Sequence, residues 1–115
     1  MVEAEQEKGK IFNIVEIIEF IPHAVARKTL IKKNTGNVSL LALDEGEFLE
    51  EKTSPFDAFV QVIDGQAEII INKESHWLVK GEAIIIPAHS RNSIKANEKF
   101  KIVSTVIKSG YAEVS

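Results

Sequence analysis

The chain has 115 residues, of which 44% are hydrophobic and 27% charged, a composition typical of one ordinary globular domain. A formal net charge of −3 offers no basic surface to nucleic acid or to an anionic membrane, so we expect neither partner. Because the sequence contains no cysteine, disulfides and thiolate metal sites are excluded.

The N-terminal segment, residues 1–10, is polar and is expected to be frayed. Its acidic residues stand where a signal peptide has basic ones, and no apolar run is long enough to cross a bilayer, so we expect a cytoplasmic protein. Apolar residues then cluster between Ile11 and Phe20, in a run too short to distinguish a helix from a strand. Pro22 interrupts it. We therefore expect at most one short helix, near the N-terminus.

The remainder of the chain predicts short strands separated by turns. The predicted strands cover residues 24–31, 38–43, 58–63, 67–71, 77–79, 82–86, 92–96 and 100–107. Asp64 and Gly65 are a strong hairpin signal between two of them. The charge-rich stretch from Glu45 to Lys52 is interpreted as a solvated loop. About eight short strands with regular turns predict an all-β sandwich or barrel, here a single domain over residues 1–115.

Two stretches carry a framework of glycine and proline. They cover residues 46–65, GEFLEEKTSPFDAFVQVIDG, and residues 81–96, GEAIIIPAHSRNSIKA. This framework resembles the paired motifs of the cupin superfamily. Gly46 and Gly65 at the ends of the first stretch match the spacing of the first motif, and the distance from Gly81 to Pro87 matches that of the second. The resemblance covers about residues 25–107. It implies a cupin-type double-stranded β-helix, a jelly-roll barrel with a ligand cavity at one mouth.

In cupins with the full pattern, two histidines and a glutamate of the first motif and a histidine of the second bind one divalent metal. Counted from Gly46, the first two positions are occupied by Lys52 and Ser54. In the alternative register they are occupied by Glu51 and Thr53. Neither register supplies a histidine.

The two other ligand positions are also changed. The glutamate position is Ala58, and the histidine position of the second motif is Asn92. Amides and hydroxyls hold such metals weakly, and the ammonium group of Lys52, if it points inward, repels a cation. The resemblance therefore implies a barrel with no bound metal and no other cofactor, and a divalent metal is the disfavoured alternative.

Several residues near the expected mouth are candidates for binding or chemistry. His89 could transfer a proton near neutral pH, or it could be a solvated loop residue. Asn92 could orient a polar ligand through its donor and acceptor, or be satisfied by the backbone of the barrel. Phe56 could wall a pocket and Asp57 could accept hydrogen bonds at its rim, or the two could belong to the core and to a turn.

Alternation along a strand adds further candidates. Because successive side chains point to opposite faces, Ala58, Val60 and Val62 share one face, which the motif position of Ala58 directs into the cavity. The complete set of predicted cavity residues is Lys52, Phe56, Asp57, Ala58, Val60, Val62, His89 and Asn92.

These observations lead to three functional hypotheses. The first is a metal-free barrel that binds a small molecule and forms a homodimer, as small cupins commonly do. The second is a cupin enzyme of the isomerase or dioxygenase type. It would use an atypical metal set such as Glu51, Asp57 and His89, or act without metal through His89 and Lys52. The third is a ligand-sensing or structural module, which would need a partner chain.

Overall fold

The computed structural model describes residues 5–110, which form eight β-strands and no helix. The strands are β1 (Val25–Lys33), β2 (Gly36–Leu43), β3 (Phe48–Thr53), β4 (Asp57–Ile71), β5 (Glu74–Val79), β6 (Ala83–Ile86), β7 (Arg91–Lys95) and β8 (Phe100–Ile107). The predicted all-β class is confirmed. The apolar run over residues 11–20 forms turns. No helix able to span a bilayer occurs in the part of the chain that the structure describes.

Two antiparallel sheets share strand β4. The front sheet has the order β1-β2-β8-β4-β6, and the back sheet has the order β3-β7-β4-β5. The first part of β4, residues 57–65, pairs with β8 and β6, whereas residues 66–71 pair with β7 and β5. The curled strand path ends at β1 on one side and at β3 on the other, so the two sheets face each other as the halves of a barrel.

The predicted hairpin at Asp64 and Gly65 is wrong, since β4 runs without interruption through both residues. A register shift between Val62 and Asp64 marks a β-bulge there. Gly65 has a φ of 77°, and a Cβ atom at this position would lie 2.3 Å from the carbonyl oxygen of Lys99. The bulge and the glycine therefore bend one long strand from the front sheet into the back sheet.

The interpretation of Glu45 to Lys52 as a solvated loop is also wrong over most of its length. Strand β3 begins at Phe48 and pairs with β7, where Phe48 lies opposite Lys95 and Thr53 opposite Arg91. Strand β3 ends the strand path, and most of its side chains are exposed. An edge strand of this kind tolerates charged side chains, which is why its composition resembles that of a loop.

The main core lies between the two sheets. It is built from inward side chains that alternate along the strands, and several are fully excluded from solvent, including Leu43, Val62, Ile69, Phe100 and Ile102. These residues close one end of the barrel. The other end holds the cavity described below.

A second core covers the outer face of the front sheet. Ile18 and its apolar neighbours from residues 14–20 pack on Leu30, Leu40 and Ala42. The chain is tied to β1 already at Gln6, whose backbone N–H donates to the carbonyl of Leu30 at 3.1 Å. The expectation of a frayed segment over residues 1–10 stays a prediction, and residues 1–4 lie outside the described part of the chain.

Candidate functional site

A cavity of about 350 Å³ lies between the two sheets. This volume is sufficient for a small organic ligand. Its innermost wall consists of apolar side chains that are mostly buried and belong to both sheets: Leu41, Val60, Ile86, Ile94 and Ile102. The apolar wall continues directly into the main core, so the cavity is closed at that end.

Polar side chains line the middle of the cavity, where the front sheet contributes hydroxyl groups. Ser39 of β2 lies opposite Ser104 of β8 in the strand register, and Asn37 follows two residues nearer the mouth. Alternation along each strand directs these side chains to the inner face. The two serines are thus neighbours on one wall.

Two of the polar residues are almost fully buried. Ser39 and Asn92 are each 5% exposed. The amide nitrogen of Asn92 donates to the backbone carbonyl of Lys52 at 3.4 Å, whereas the hydroxyl of Ser39 has no hydrogen-bond partner among residues 5–110. Every fully buried side-chain oxygen or nitrogen in that range has a hydrogen-bond partner. The Ser39 hydroxyl has none, so it is not fully buried and is open to the cavity that it lines.

Four exposed charged side chains line the cavity, and cations predominate among them. Arg27, Lys52 and Lys108 line the cavity together with one carboxylate, Glu50. None of the four makes an ion pair with another described residue. The ammonium group of Lys108 lies 5.9 Å from the ring centroid of Phe56, so this cation is held beside the mouth.

Five of the predicted cavity residues contribute to this wall. They are Lys52, Phe56, Ala58, Val60 and Asn92. They come from β3, β4, β7 and the loop that precedes β4. Lys52 and Asn92, which the motif spacing assigns to two ligand positions, are direct partners in the register of β3 and β7.

The other three predicted residues lie outside the cavity wall. Val62 is fully buried in the main core. The Oδ1 atom of Asp57 accepts a hydrogen bond from the backbone N–H of Ala88 at 2.7 Å, which fixes the loop after β6. His89 is exposed, with a φ of 69°, and its backbone N–H donates to the carbonyl of Ser54 at 2.6 Å.

Sequence reasoning missed several polar cavity residues, which are Arg27, Asn37, Ser39, Glu50, Ser93, Ser104 and Lys108. A signal was present for some of them. Ser39 precedes the apolar Leu41 and Leu43 on one face of β2. Ser104 stands between Ile102 and Val106 on one face of β8. A hydroxyl on the inner face of a strand indicates a polar cavity more readily than it indicates a packed core.

The residues at the cupin ligand positions do not fit a divalent metal. In the register counted from Gly46, the four positions are Lys52, Ser54, Ala58 and Asn92, and all four line the cavity. They offer an ammonium, a hydroxyl, a methyl and an amide group, a set that lacks imidazole and carboxylate ligands. Glu51 and Thr53, the alternative register, are exposed and lie outside the wall.

The atypical metal set is not brought together either. Within residues 5–110, no group of three or more histidine, aspartate or glutamate side chains is arranged to hold a metal ion. Glu51, Asp57 and His89 therefore do not form such a group.

Comparison with solved structures identifies the fold. The structure superposes with a TM-score of 0.87 on a conserved protein of unknown function from Streptococcus pyogenes, at 25% identity over 95% of this chain and 96% of that one. It matches a cupin 2 conserved barrel domain protein from Leptotrichia buccalis with a TM-score of 0.82, at 28% identity over 84% of this chain. The protein has the cupin fold. The Leptotrichia buccalis protein is longer than this chain, since the match covers 47% of it.

Another cupin structure shows that the fold extends over nearly the whole chain. A cupin superfamily protein from Desulfitobacterium hafniense gives a TM-score of 0.85 at 19% identity, covering 95% of this cupin and 100% of that chain. The predicted jelly-roll architecture is thereby confirmed.

Sequence comparison adds a short local similarity. No protein-family model matches the sequence. A pyrimidine/purine nucleoside phosphorylase from Wolinella succinogenes is 42% identical over 41 residues. The matched segment is 34% of this cupin and spans only 39% of the length of that relative.

Proposed function

We propose that this cupin binds a small organic molecule in its barrel cavity and does so without a metal. The observation that carries the proposal is the chemistry of the four ligand positions, which line a cavity of about 350 Å³ with an ammonium, a hydroxyl, a methyl and an amide group. Such a wall can bind an organic ligand by hydrogen bonds and apolar contact. It lacks the ligands that a tightly held divalent cation needs.

The proposal includes a homodimer formed through the outer face of the front sheet. Residues 14–20 cover part of this face. Phe59 of β4 and Ile85 of β6, which are register partners, remain 42% and 62% exposed. Their outward neighbours Gln61 and Thr105 are uncharged. A second copy can therefore pack on the same surface without bringing like charges together.

The function is tested by thermal unfolding in the presence of a chelator with a panel of small polar molecules. A compound that binds the native cavity raises the melting temperature by linkage, and we expect hits that raise it by about 4 °C or more at saturation. Ser104→Phe, which places a ring in the cavity, should abolish these shifts. Thr53→Phe adds the same ring at an exposed position outside the cavity and should preserve them.

Two results would contradict the proposal. One is a panel in which stabilisation appears only after manganese, iron, nickel or zinc is added. The other is stabilisation that persists unchanged in Ser104→Phe, because the ligand would then bind outside the barrel.

A second candidate function is the phosphorolysis of a nucleoside, which is favoured by the similarity to the Wolinella succinogenes enzyme. In that reaction phosphate displaces the base, the glycosidic C–N bond breaks, and a sugar 1-phosphate and a free base are released. The assay is chromatographic detection of free base from purine and pyrimidine nucleosides with phosphate and chelator. Release that is lost in Ser104→Phe and kept in Thr53→Phe would support it, and no release from any nucleoside would exclude it.

A further inference from the structure

We propose that the mouth of the cavity is a binding site for an oxyanion, the carboxylate or phosphate group of the organic ligand. This inference rests on the proposed function, since it names the chemical class of the molecule that the cavity takes. It reverses the charge expected at this place in a metal-binding cupin. An anionic group of the ligand would lie where the motif otherwise places a cation.

The first support is the pair formed by Lys52 and Asn92. The two residues are register partners on β3 and β7, and both line the cavity. Asn92 is 5% exposed, and its hydrogen bond to the Lys52 carbonyl, 3.4 Å long, uses only one of its two amide hydrogens. The remaining hydrogen of the amide and the ammonium group are donors of the kind that an oxyanion accepts.

The second support is the charge of the exposed side chains that line the cavity. Three cations, those of Arg27, Lys52 and Lys108, oppose the single carboxylate of Glu50, and none is neutralised by an ion pair within residues 5–110. The protein as a whole carries a formal charge of −3. A cationic mouth on an acidic protein concentrates anions at that point.

The third support concerns the rest of the ligand. Beyond the mouth, Ser39 and Ser104 present neighbouring hydroxyl groups, and the closed end is apolar. This gradient fits a molecule with an anionic group at one end and a body that carries hydroxyl or carbonyl groups. A purely hydrophobic ligand would leave the serine hydroxyls without partners.

The test is a titration of the ¹⁵N-labelled protein, monitored by amide chemical shifts, with sodium phosphate and separately with sodium acetate. Sodium chloride keeps the ionic strength constant, because screening alone moves the signals of surface lysines. We expect saturable shifts centred on the amides of Lys52 and Asn92. The anion that binds more tightly identifies whether the natural ligand carries a phosphate or a carboxylate.

Variants of single lysines make the assignment specific. Lys52→Met should weaken binding by about tenfold or more, because a charge-assisted hydrogen bond is lost, and Lys52→Arg should restore most of it. Lys95→Met removes an exposed lysine that does not line the cavity, and it should leave the affinity unchanged. Lys52→Gln serves in place of Lys52→Met if that variant does not fold.

The outcomes distinguish the oxyanion site from the function on which it rests. Equal weakening by Lys52→Met and Lys95→Met, or shifts spread over surface lysines, would overturn the oxyanion site. If neither anion binds while neutral compounds still stabilise the wild type and not Ser104→Phe, the site fails but the proposed function stands. If anion binding requires an added divalent metal, both fail.

Discussion

Gly65 controls the bend of β4 because of its backbone conformation and its close contact with the chain opposite. Its φ is 77°, and an added Cβ would lie 2.3 Å from the Lys99 carbonyl oxygen and 2.9 Å from the Cα of Phe100. We expect Gly65→Ala to lower the free energy of unfolding by about 3 kcal/mol or more, from backbone strain and overpacking together. Urea denaturation measures the change.

The matched control for that substitution is Gly46→Ala. Gly46 has a comparable φ of 88°, but nothing lies within 4 Å of its added Cβ. We therefore expect Gly46→Ala to lower the free energy of unfolding by about 1 kcal/mol, from backbone strain alone. Equal losses in the two variants would show that the contact with Lys99 and Phe100 contributes nothing.

Asp44 links stability to pH. Its carboxylate accepts hydrogen bonds from the backbone N–H of His23 at 2.7 Å and of Glu45 at 2.9 Å, and these hold its pKa below the ordinary value. Because the pKa in the folded state is the lower one, the stabilisation is present above about pH 4 and is lost as the pH falls through the folded pKa.

Asp44→Asn should therefore lose less stability on acidification than the wild type, when urea unfolding is compared between about pH 7 and about pH 3. Some acid sensitivity should remain in the variant. Hydrogen bonds from the hydroxyl of Ser75 and the amide of Asn97 also hold the pKa of Glu68 below its ordinary value, so Glu68 likewise loses its stabilising effect in acid. Parallel pH profiles for the variant and the wild type would show that Asp44 is not responsible.

Individual site residues could be predicted only where a rule fixes their position. Motif spacing located Lys52, Ala58 and Asn92, and strand alternation located Val60. Alternation also placed Val62 on the cavity wall. Side chains of the main core fill the closed end of the barrel there, and Val62 is one of them. The side chain of His89 points outside the cavity wall, which no local pattern in the sequence indicated.

At the scale of the strands, errors arose where tertiary structure overrides a local signal. An Asp-Gly pair ordinarily ends a strand in a hairpin. In β4 it forms a bulge instead, because the same strand serves both sheets. Strand β3 was missed because the charges of an edge strand resemble those of a loop. By contrast, the bounds of β8 were predicted at Phe100 and Ile107, where periodicity and burial agree.

The proposed dimer is a prediction about one sheet face. Ile85 on β6 is 62% exposed beside Phe59. Ile85→Glu places a charge in a surface that would meet its own copy. We therefore expect sedimentation velocity at micromolar concentration to give a dimer for the wild type and a monomer for this variant. Trp77→Glu changes a residue that is 51% exposed on the back sheet and should remain a dimer. A monomeric wild type, or dissociation caused only by Trp77→Glu, would contradict this assignment.

At the scale of the whole molecule, the structure is a cupin barrel, and a cavity that works without metal is our proposal for it. The framework of glycines and Pro87 was sufficient to predict the barrel from the sequence, because those positions depend on backbone geometry. The polar band of Ser39 and Ser104 and the cations Arg27 and Lys108 were not predicted, since they come from distant strands that only the closed barrel brings together.

The central claim, a cupin cavity that functions without metal, is tested most directly by elemental analysis. The untagged protein is incubated with manganese, iron, nickel and zinc, dialysed and analysed. A variant carrying Lys52→His, Ser54→His, Ala58→Glu and Asn92→His provides the positive control, because it places four metal-binding side chains on the same wall. We predict far less than one metal ion per chain in the wild type and close to one in the variant. Close to one metal ion per wild-type chain would contradict the account.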